Sequence, residues 1–462
     1  MKTTLKLIVL FSIAELASFA SATVNYPFPQ NSTYNGNGIT LTDKASVNTA
    51  LQSGFNYYLS TFYNESGNYA GIRSNEGSNE YFSEGIGYGM LLMVYFSNST
   101  TSYQSQFDKL WAFYKASEDG NGLMNWKMGN LDPSSVWGEN AATDAEMDVA
   151  AALILAAYQF GDNTYLTEAQ TLLQSIRTYE FETNGLHKPG DVWNAKRNPS
   201  YVAPAYYELF KDVDASGSTF WSTTAMDANM ALLETNSAEY STGLLDNWTN
   251  DAGTGLDGYY GYDAARAPWR LSQSYYWFGN TRSYAILEKS GAWVNSQTPS
   301  SISGSISRSG TLGSDHNSTF VATLMTSLVT NSAYQSNLDA YWSEAVNLGN
   351  ENYFNESMKL LCGLAVSGNM PNLTNMTTAL KNAAITAKDF FSFSENEIIL
   401  SGISTNNLSV TLFDINGKQI KNLFQGPVSN SIYIPIAGTN PGMYIVRESS
   451  EKGTFMHKVM VK

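Results

Sequence analysis

Tyr158-Gln159-Phe160-Gly161-Asp162 closes one apolar helical run, and the amphipathic stretch Tyr165–Tyr179 follows almost at once. A glycine just past a helix, followed by a polar residue, is a stop signal, because glycine enters the left-handed region without a Cβ clash. Trp277-Phe278-Gly279-Asn280 repeats the signal ahead of Arg282–Val294, and Ala365-Val366-Ser367-Gly368-Asn369 repeats it again. The first two cases read as helix, tight turn, helix. Several such hairpins between about Asp43 and Ala387 predict stacked helical pairs or a closed barrel of them. The stops fall at unequal intervals, which excludes a simple solenoid repeat. The loops between hairpins are long and rich in Gly, Asn, Ser and Trp, as in Gly185–Tyr201 and Asp246–Tyr262. Long loops on a helical scaffold are where function concentrates.

Outside that stretch the pattern changes at both ends. Residues 1–22 read as a secretory signal: Lys2 and Lys6 are basic, Leu7–Ala14 is apolar, and Ala20-Ser21-Ala22 fits a cleavage site. No later run is long and apolar enough to predict a membrane span. After about Phe390 the hydrophobic period drops to two. Leu408, Val410 and Leu412 alternate with polar residues, as do Ile432, Ile434 and Ile436, and then Phe455, His457, Val459 and Val461. Asn416-Gly417 is a hairpin signal between such runs. The expected division is a signal at 1–22, a helical domain at 23–387 and a small all-β domain at 388–462.

Charged residues make up only 15% of the chain and the formal net charge is -15. That argues against nucleic acid, whose phosphates need clustered Lys and Arg. Aromatic residues reach 13%, which suits sugar stacking as well as a large core. The single cysteine, Cys362, excludes an intramolecular disulfide. His187, His316 and His457 are far apart in sequence, so no His-rich metal site and no cofactor are expected.

Three acidic stretches stand out. In Ser83-Glu84-Gly85-Ile86-Gly87-Tyr88-Gly89 one carboxylate sits among three glycines where a helix begins. Glu84 falls in or before the first helical turn, near unpaired N–H groups. In Ala142-Thr143-Asp144-Ala145-Glu146-Met147-Asp148 either Thr143 or Asp144 could cap the next helix, and Asp144 and Asp148 would share a face. The helix dipole alone would account for Glu146 and Asp148. In Tyr262-Asp263-Ala264-Ala265-Arg266 the Asp and Arg are three apart and could pair on one turn. An Asp held by Arg stays ionised, as a general base must, while Glu84 beside Tyr88 and apolar residues could keep a proton. Two carboxyls in opposed environments are what glycoside hydrolysis requires.

These stretches carry a resemblance. Ser83-Glu84-Gly85-x-Gly87-Tyr88-Gly89, Gly120-Asn121-Gly122-Leu123-Met124-Asn125-Trp126, Ala142-Thr143-Asp144, Lys188-Pro189-Gly190-Asp191-x-Trp193, Asn198-Pro199-Ser200-Tyr201-x-Ala203-Pro204 and Tyr262-Asp263-Ala264-x-Arg266 occur in the order seen in glycoside hydrolase family 8. Asp315-His316-Asn317 and Ser367-Gly368-Asn369 follow in the same order. Over about residues 35–375 the chain resembles that family's bacterial endo-β-1,4-glucanases. The resemblance implies a mainly α protein with an (α/α)6 barrel and a cleft across one end. It implies hydrolysis with inversion, with Glu84 as general acid, Asp263 as general base, and Asp144 holding and orienting the sugar. Arg266 falls beside the base, and Trp126, Trp193, Tyr201 and Tyr262 match aromatic positions along the sugar subsites. The chain departs from the family at Glu146, where Asp is usual.

The β region is similar to the C-terminal sorting domain of the type IX secretion system, through Leu408–Asn416, Gly442-Met443-Tyr444-Ile445-Val446 and Lys458-Val459-Met460-Val461-Lys462. That likeness implies a secreted or surface-attached protein that meets a secretion machinery through this domain. The expected partner is a β-glucan, and the expected state is a monomer without membrane insertion. Xylan and chitosan remain open as substrates within the family. A glycan-binding surface protein without catalysis is the reading from another class, and retention of Glu84, Asp144 and Asp263 argues against it.

Overall fold

The computed structural model describes residues 24–376 and, further on, 390–394, 397–414, 418–436, 438–450 and 453–461. The expected signal at 1–22 and the Asn416-Gly417 turn lie outside the described residues. Two compact units divide the chain, Met1–Thr374 and Asn375–Lys462.

The first unit contains twelve α-helices among its described residues: α1 (Lys44–Thr61), α2 (Ser83–Phe96), α3 (Gln104–Ala116), α4 (Thr143–Phe160), α5 (Thr164–Tyr179), α6 (Pro204–Val213), α7 (Met226–Ala238), α8 (Ala267–Phe278), α9 (Thr281–Asn295), α10 (Ser318–Met325), α11 (Gln335–Asn347) and α12 (Tyr353–Ser367). The even-numbered helices touch in a closed ring, α2 to α4 to α6 to α8 to α10 to α12 and back to α2. Each odd-numbered helix packs outside, α3 on α2, α5 on α4, α7 on α6, α9 on α8, α11 on α10, and α1 on α12. This is an (α/α)6 barrel. Burial follows the layers: nearly every residue of α2, α4 and α12 is buried, whereas α1, α3 and α5 bury one stripe.

The three glycine stops behave as the sequence predicts. Gly161, Gly279 and Gly368 end α4, α8 and α12 in the left-handed conformation, at φ of 70°, 63° and 84°. Inner and outer helices alternate along the chain, so the inner helices run in one direction, with their C-terminal ends together. Across those ends lies the segment at residues 25–41. It donates from Asn25 N to the Gln159 carbonyl of α4, from Phe28 N to Ser97 just past α2, and from Ser32 N to Gly368. Leu41 N and the Tyr34 hydroxyl reach the α12 carbonyls of Val366 and Ala365. The strap supplies partners to carbonyls that a helix end leaves open.

The second unit is an antiparallel sheet. The long strands Glu397–Asp414 and Gln419–Pro435 pair with several register shifts. Gly442–Ser450 lies against the first of them and Gly453–Val461 against Gly442–Ser450, while Phe390–Ser394 adds to Glu397–Ser401. Leu408, Val410, Leu412, Ile434, Val446 and Val459 form its core, so the alternation in the sequence marks the buried face.

Candidate active site

With the C-terminal ends of the inner helices under the strap, their N-terminal ends open on the other end of the barrel. There the acidic stretches meet. Glu84 lies in the first turn of α2, Asp144 in the first turn of α4, and Asp263 with Arg266 just ahead of α8. Close approach of α2 and α4 allows this: a Cβ on Gly87 would stand 2.8 Å from the Asp148 Cβ. That contact gives Gly87, the middle of the three glycines in Ser83–Gly89, its reason.

An open cavity of about 220 Å³ is lined by Glu84, Asp144, Asp263, Arg266, Trp126 and Tyr201, with Phe82, Ser83 and Ala142. A neighbouring opening shares Glu84, Asp263 and Arg266 and adds Tyr262, Tyr353 and Phe354. Trp193 stands apart from both linings, 44% exposed, with its ring 5.1 Å from that of Trp248. Trp248 in turn donates its indole N–H to Asp263 Oδ2 at 2.9 Å.

Arg266 is the centre of the electrostatics. Its Nη1 is 3.1 Å from Glu84 Oε2 and also binds Asp144 Oδ2, and its Nε donates to Ser200 Oγ at 3.2 Å. The guanidinium lies over the Tyr201 ring at 5.2 Å. The Asp263–Arg266 pair expected from the sequence is not formed. Residues 262–266 are a turn rather than a helical one, α8 starts only at Ala267, and the Arg266 side chain runs inward between α2 and α4. The cap expected from Thr143 or Asp144 is also not formed. Ala142 occupies the cap position without a side-chain bond, the Thr143 hydroxyl donates to the Lys188 carbonyl at 2.7 Å, and Asp144 faces Arg266.

Burial raises the pKa of Glu84, and the nearby negative charge of Asp144 adds to this, against the opposing pull of Arg266. One cation between two carboxyls leaves a proton favoured on the pair. Tyr353 also donates to Glu84 Oε1, and the Tyr88 hydroxyl is 3.5 Å from Oε2. Tyr262 is 44% exposed, with its hydroxyl 2.8 Å from Asn317 Nδ2 and bonded to Asp315 Oδ2. Beneath the site Asp148 and Arg270, both fully buried, form a two-pronged pair at 2.8 Å on each side.

The sequence reading missed Tyr353 and Trp248. Tyr353 is the first residue of α12, and the Asn352 cap (its side chain accepts from Asn355 N) was the available signal. Trp248 lies inside the long Asp246–Tyr262 loop, where no local pattern marks it as a partner of Asp263. Among the described residues no group of three or more His, Cys, Asp or Glu could hold a metal ion, and no helix is long and apolar enough to cross a membrane.

Comparison with known proteins accords with this geometry. Residues 27–368 match the glycosyl hydrolases family 8, and residues 387–462 match the secretion system C-terminal sorting domain. Endoglucanase 2 of Ruminiclostridium josui is 32% identical over 385 residues, covering 78% of this chain and 81% of its own. Endoglucanase C of Ruminiclostridium cellulolyticum is 31% identical over 390 residues, covering 78% and 81%. Among solved structures, the apo β-1,3-1,4-glucanase of Paenibacillus sp. X4 superposes with a TM-score of 0.70 at 25% identity, over 75% of this chain and 98% of its own. The sorting domain indicates secretion and cell-surface attachment. In fold, in the order of its motifs and over most of its length, this chain belongs to glycosyl hydrolase family 8.

Proposed function

We propose that the protein is a secreted endo-β-1,4-glucanase that acts on cellulose-type and mixed-linkage glucans with inversion of configuration. The observation that carries the reading is the unequal surroundings of two carboxyls on one cavity. Glu84 is about as exposed as Asp263, with its side chain 23% exposed. It shares Arg266 with Asp144, however, and desolvation and that second carboxyl raise its pKa, so that it tends to keep its proton. Asp263 is partly exposed and is held by the neutral indole donor of Trp248.

In this mechanism Asp263 takes a proton from a water molecule as its oxygen attacks the anomeric carbon. Glu84 gives its proton to the departing glycosidic oxygen. Inversion needs a gap of roughly 6.5–9.5 Å between the carboxyl groups, so that the water fits. Asp144, fixed by Arg266, holds and orients the sugar at the cleaved bond. Trp126, Trp193, Tyr201 and Tyr262 supply faces and edges for neighbouring sugars, which position the chain for attack. Relatives named endoglucanases, and a solved neighbour named a β-1,3-1,4-glucanase, favour glucan over xylan and chitosan. The C-terminal domain acts as a type IX secretion signal.

The test is reducing-sugar release from carboxymethyl cellulose, barley β-glucan, xylan and chitosan by wild type and Glu84→Gln. The expected result is activity on the two glucans that falls by roughly 10²–10⁴-fold in the variant. Proton NMR of the first product is expected to show the α-anomer. Activity confined to xylan or chitosan would overturn the substrate, and a β-anomer would overturn the mechanism.

A further inference from the structure

The glucan reading of the cleft leaves one aromatic surface unused. The strands Glu80–Phe82, Lys127–Gly129 and Val136–Gly138 form a small antiparallel sheet beside the cavity. Glu80 pairs with Gly129, and Phe82 pairs with Lys127, which pairs with Gly138. Paired residues share a face, so Glu80, Phe82, Lys127, Gly129 and Gly138 look the same way.

Two indoles lie on that face, each seated on a glycine. A Cβ on Gly138 would stand 2.5 Å from the Trp126 ring, and one on Gly129 would stand 2.0 Å from the Trp137 ring. Each glycine is thus a flat seat that any other residue would lift. The Trp126 ring also stacks on Phe82, at 5.8 Å and 8°. Trp126 is 41% exposed and lines the cavity. Trp137 is 55% exposed, an unusual position for the largest apolar side chain. The Lys127–Glu80 ion pair lies on the same face, and Lys127 Nζ is 5.8 Å from the Trp126 ring. The two seats are diagonal neighbours on adjacent strands, about 7–8 Å apart. The surface is therefore a strip of aromatic planes and charged hydrogen-bonding groups that continues from Trp126, outward from the catalytic cavity.

We propose that Trp137 is a distal sugar-binding platform, which stacks a further pyranose unit of the same polysaccharide chain that lies in the cleft, with Glu80 and Lys127 meeting its hydroxyls. This rests on the glycan-hydrolase reading of the cavity and adds a chain-length preference to it. Short oligosaccharides that fill only the cavity would not reach Trp137, and longer ones would.

The experiment is calorimetric titration of the Glu84→Gln protein, with and without Trp137→Ala, using cellobiose through cellohexaose and the matching xylo-oligosaccharides. The expected result is an affinity that rises with length in the parent. Trp137→Ala removes about 2- to 13-fold of that rise, the equivalent of the ~0.5–1.5 kcal/mol of a specific aromatic contact, and Trp137→Tyr restores most of it. A rise of the same size in Trp137→Ala overturns the proposal. So does an equal loss at every length, or a parent whose affinity does not depend on length. If only the xylo series binds, the glucan reading fails, and the same length comparison within that series still decides the platform.

Discussion

Arg266 is one positive charge set between two carboxyls, Glu84 and Asp144. Asp144 therefore acts on Glu84, because its negative charge raises the Glu84 pKa, and in the proposed mechanism it also holds the sugar. Asp144→Asn is expected to lower kcat by roughly 10²-fold through lost positioning and to move the alkaline limb of the rate profile to lower pH. A pH–rate series on a soluble β-glucan reads both, and an alkaline limb that stays in place would show that the two carboxyls are not coupled. Glu180 gives a stability prediction. It is fully buried, and its carboxyl has no well-formed hydrogen bond among the described residues, only weak help from the nearby Thr143 hydroxyl, which donates to the Lys188 carbonyl. Burial and the Asp191 charge raise its pKa well above 4.5. An acid with a raised folded pKa stabilises the fold while protonated, and this is lost as pH rises from about 4.5 toward the folded pKa. Glu180→Gln is expected to be more stable than wild type at neutral pH, because the amide does not ionise in the unfolded chain, and to show no gain near pH 4 in denaturant melts. At this scale Glu84, Asp144 and Asp263 stand out in the sequence because each sits in a motif of fixed spacing, and the structure brings the three to one cavity. The partners of Arg266 were not legible, because Asp144 and Glu84 lie 122 and 182 residues away from it in the chain.

Between helices the same charges form a ladder. Asp144 and Asp148 are one turn apart on α4, and they face Arg266, which caps α8, and Arg270 within it. The upper rung opens on the cavity and the lower rung is sealed. Removing one partner of a sealed pair strands the other, so Arg270→Met is expected to destabilise the barrel by about 3–5 kcal/mol in chemical denaturation. Asp148→Leu combined with Arg270→Met should recover much of that loss. Failure of the double variant to improve on the single one would mean that the pair sets the α4–α8 geometry as well as balancing charge. The sequence showed that Asp144 and Asp148 share a helix face, and it showed where helices stop, because both are local matters of period and backbone conformation. It did not show that α4 faces α8 across the ring, since nothing within either helix encodes its neighbour. Likewise Gly87 read as a flexible residue in a motif, while its reason is the α4 backbone pressed against it.

At the scale of the molecule the chain is two units with separate cores. Deleting residues 387–462 is expected to leave β-glucan hydrolysis by the purified barrel within about twofold of wild type and to abolish release from the producing cell. Assaying the cell fraction and the medium separately checks both, and a barrel that fails to fold alone would refute the separation. The change of period after Phe390 made this division legible, whereas the closing of six hairpins into a ring was legible only through the resemblance. The strap at residues 25–41 has a consequence in time. It is among the first parts of the barrel to be synthesised, yet Asn31 bonds to Asn369, 338 residues later. Contacts of such separation form late, because a long loop must close before they reward it. Until α12 emerges, the strap can reach α2 and α4 but lacks its last partners, the carbonyls at the end of α12. The first piece made is the last one fastened, so the barrel becomes whole in one late step, and a chain cut short before Asn369 would be left open at its base.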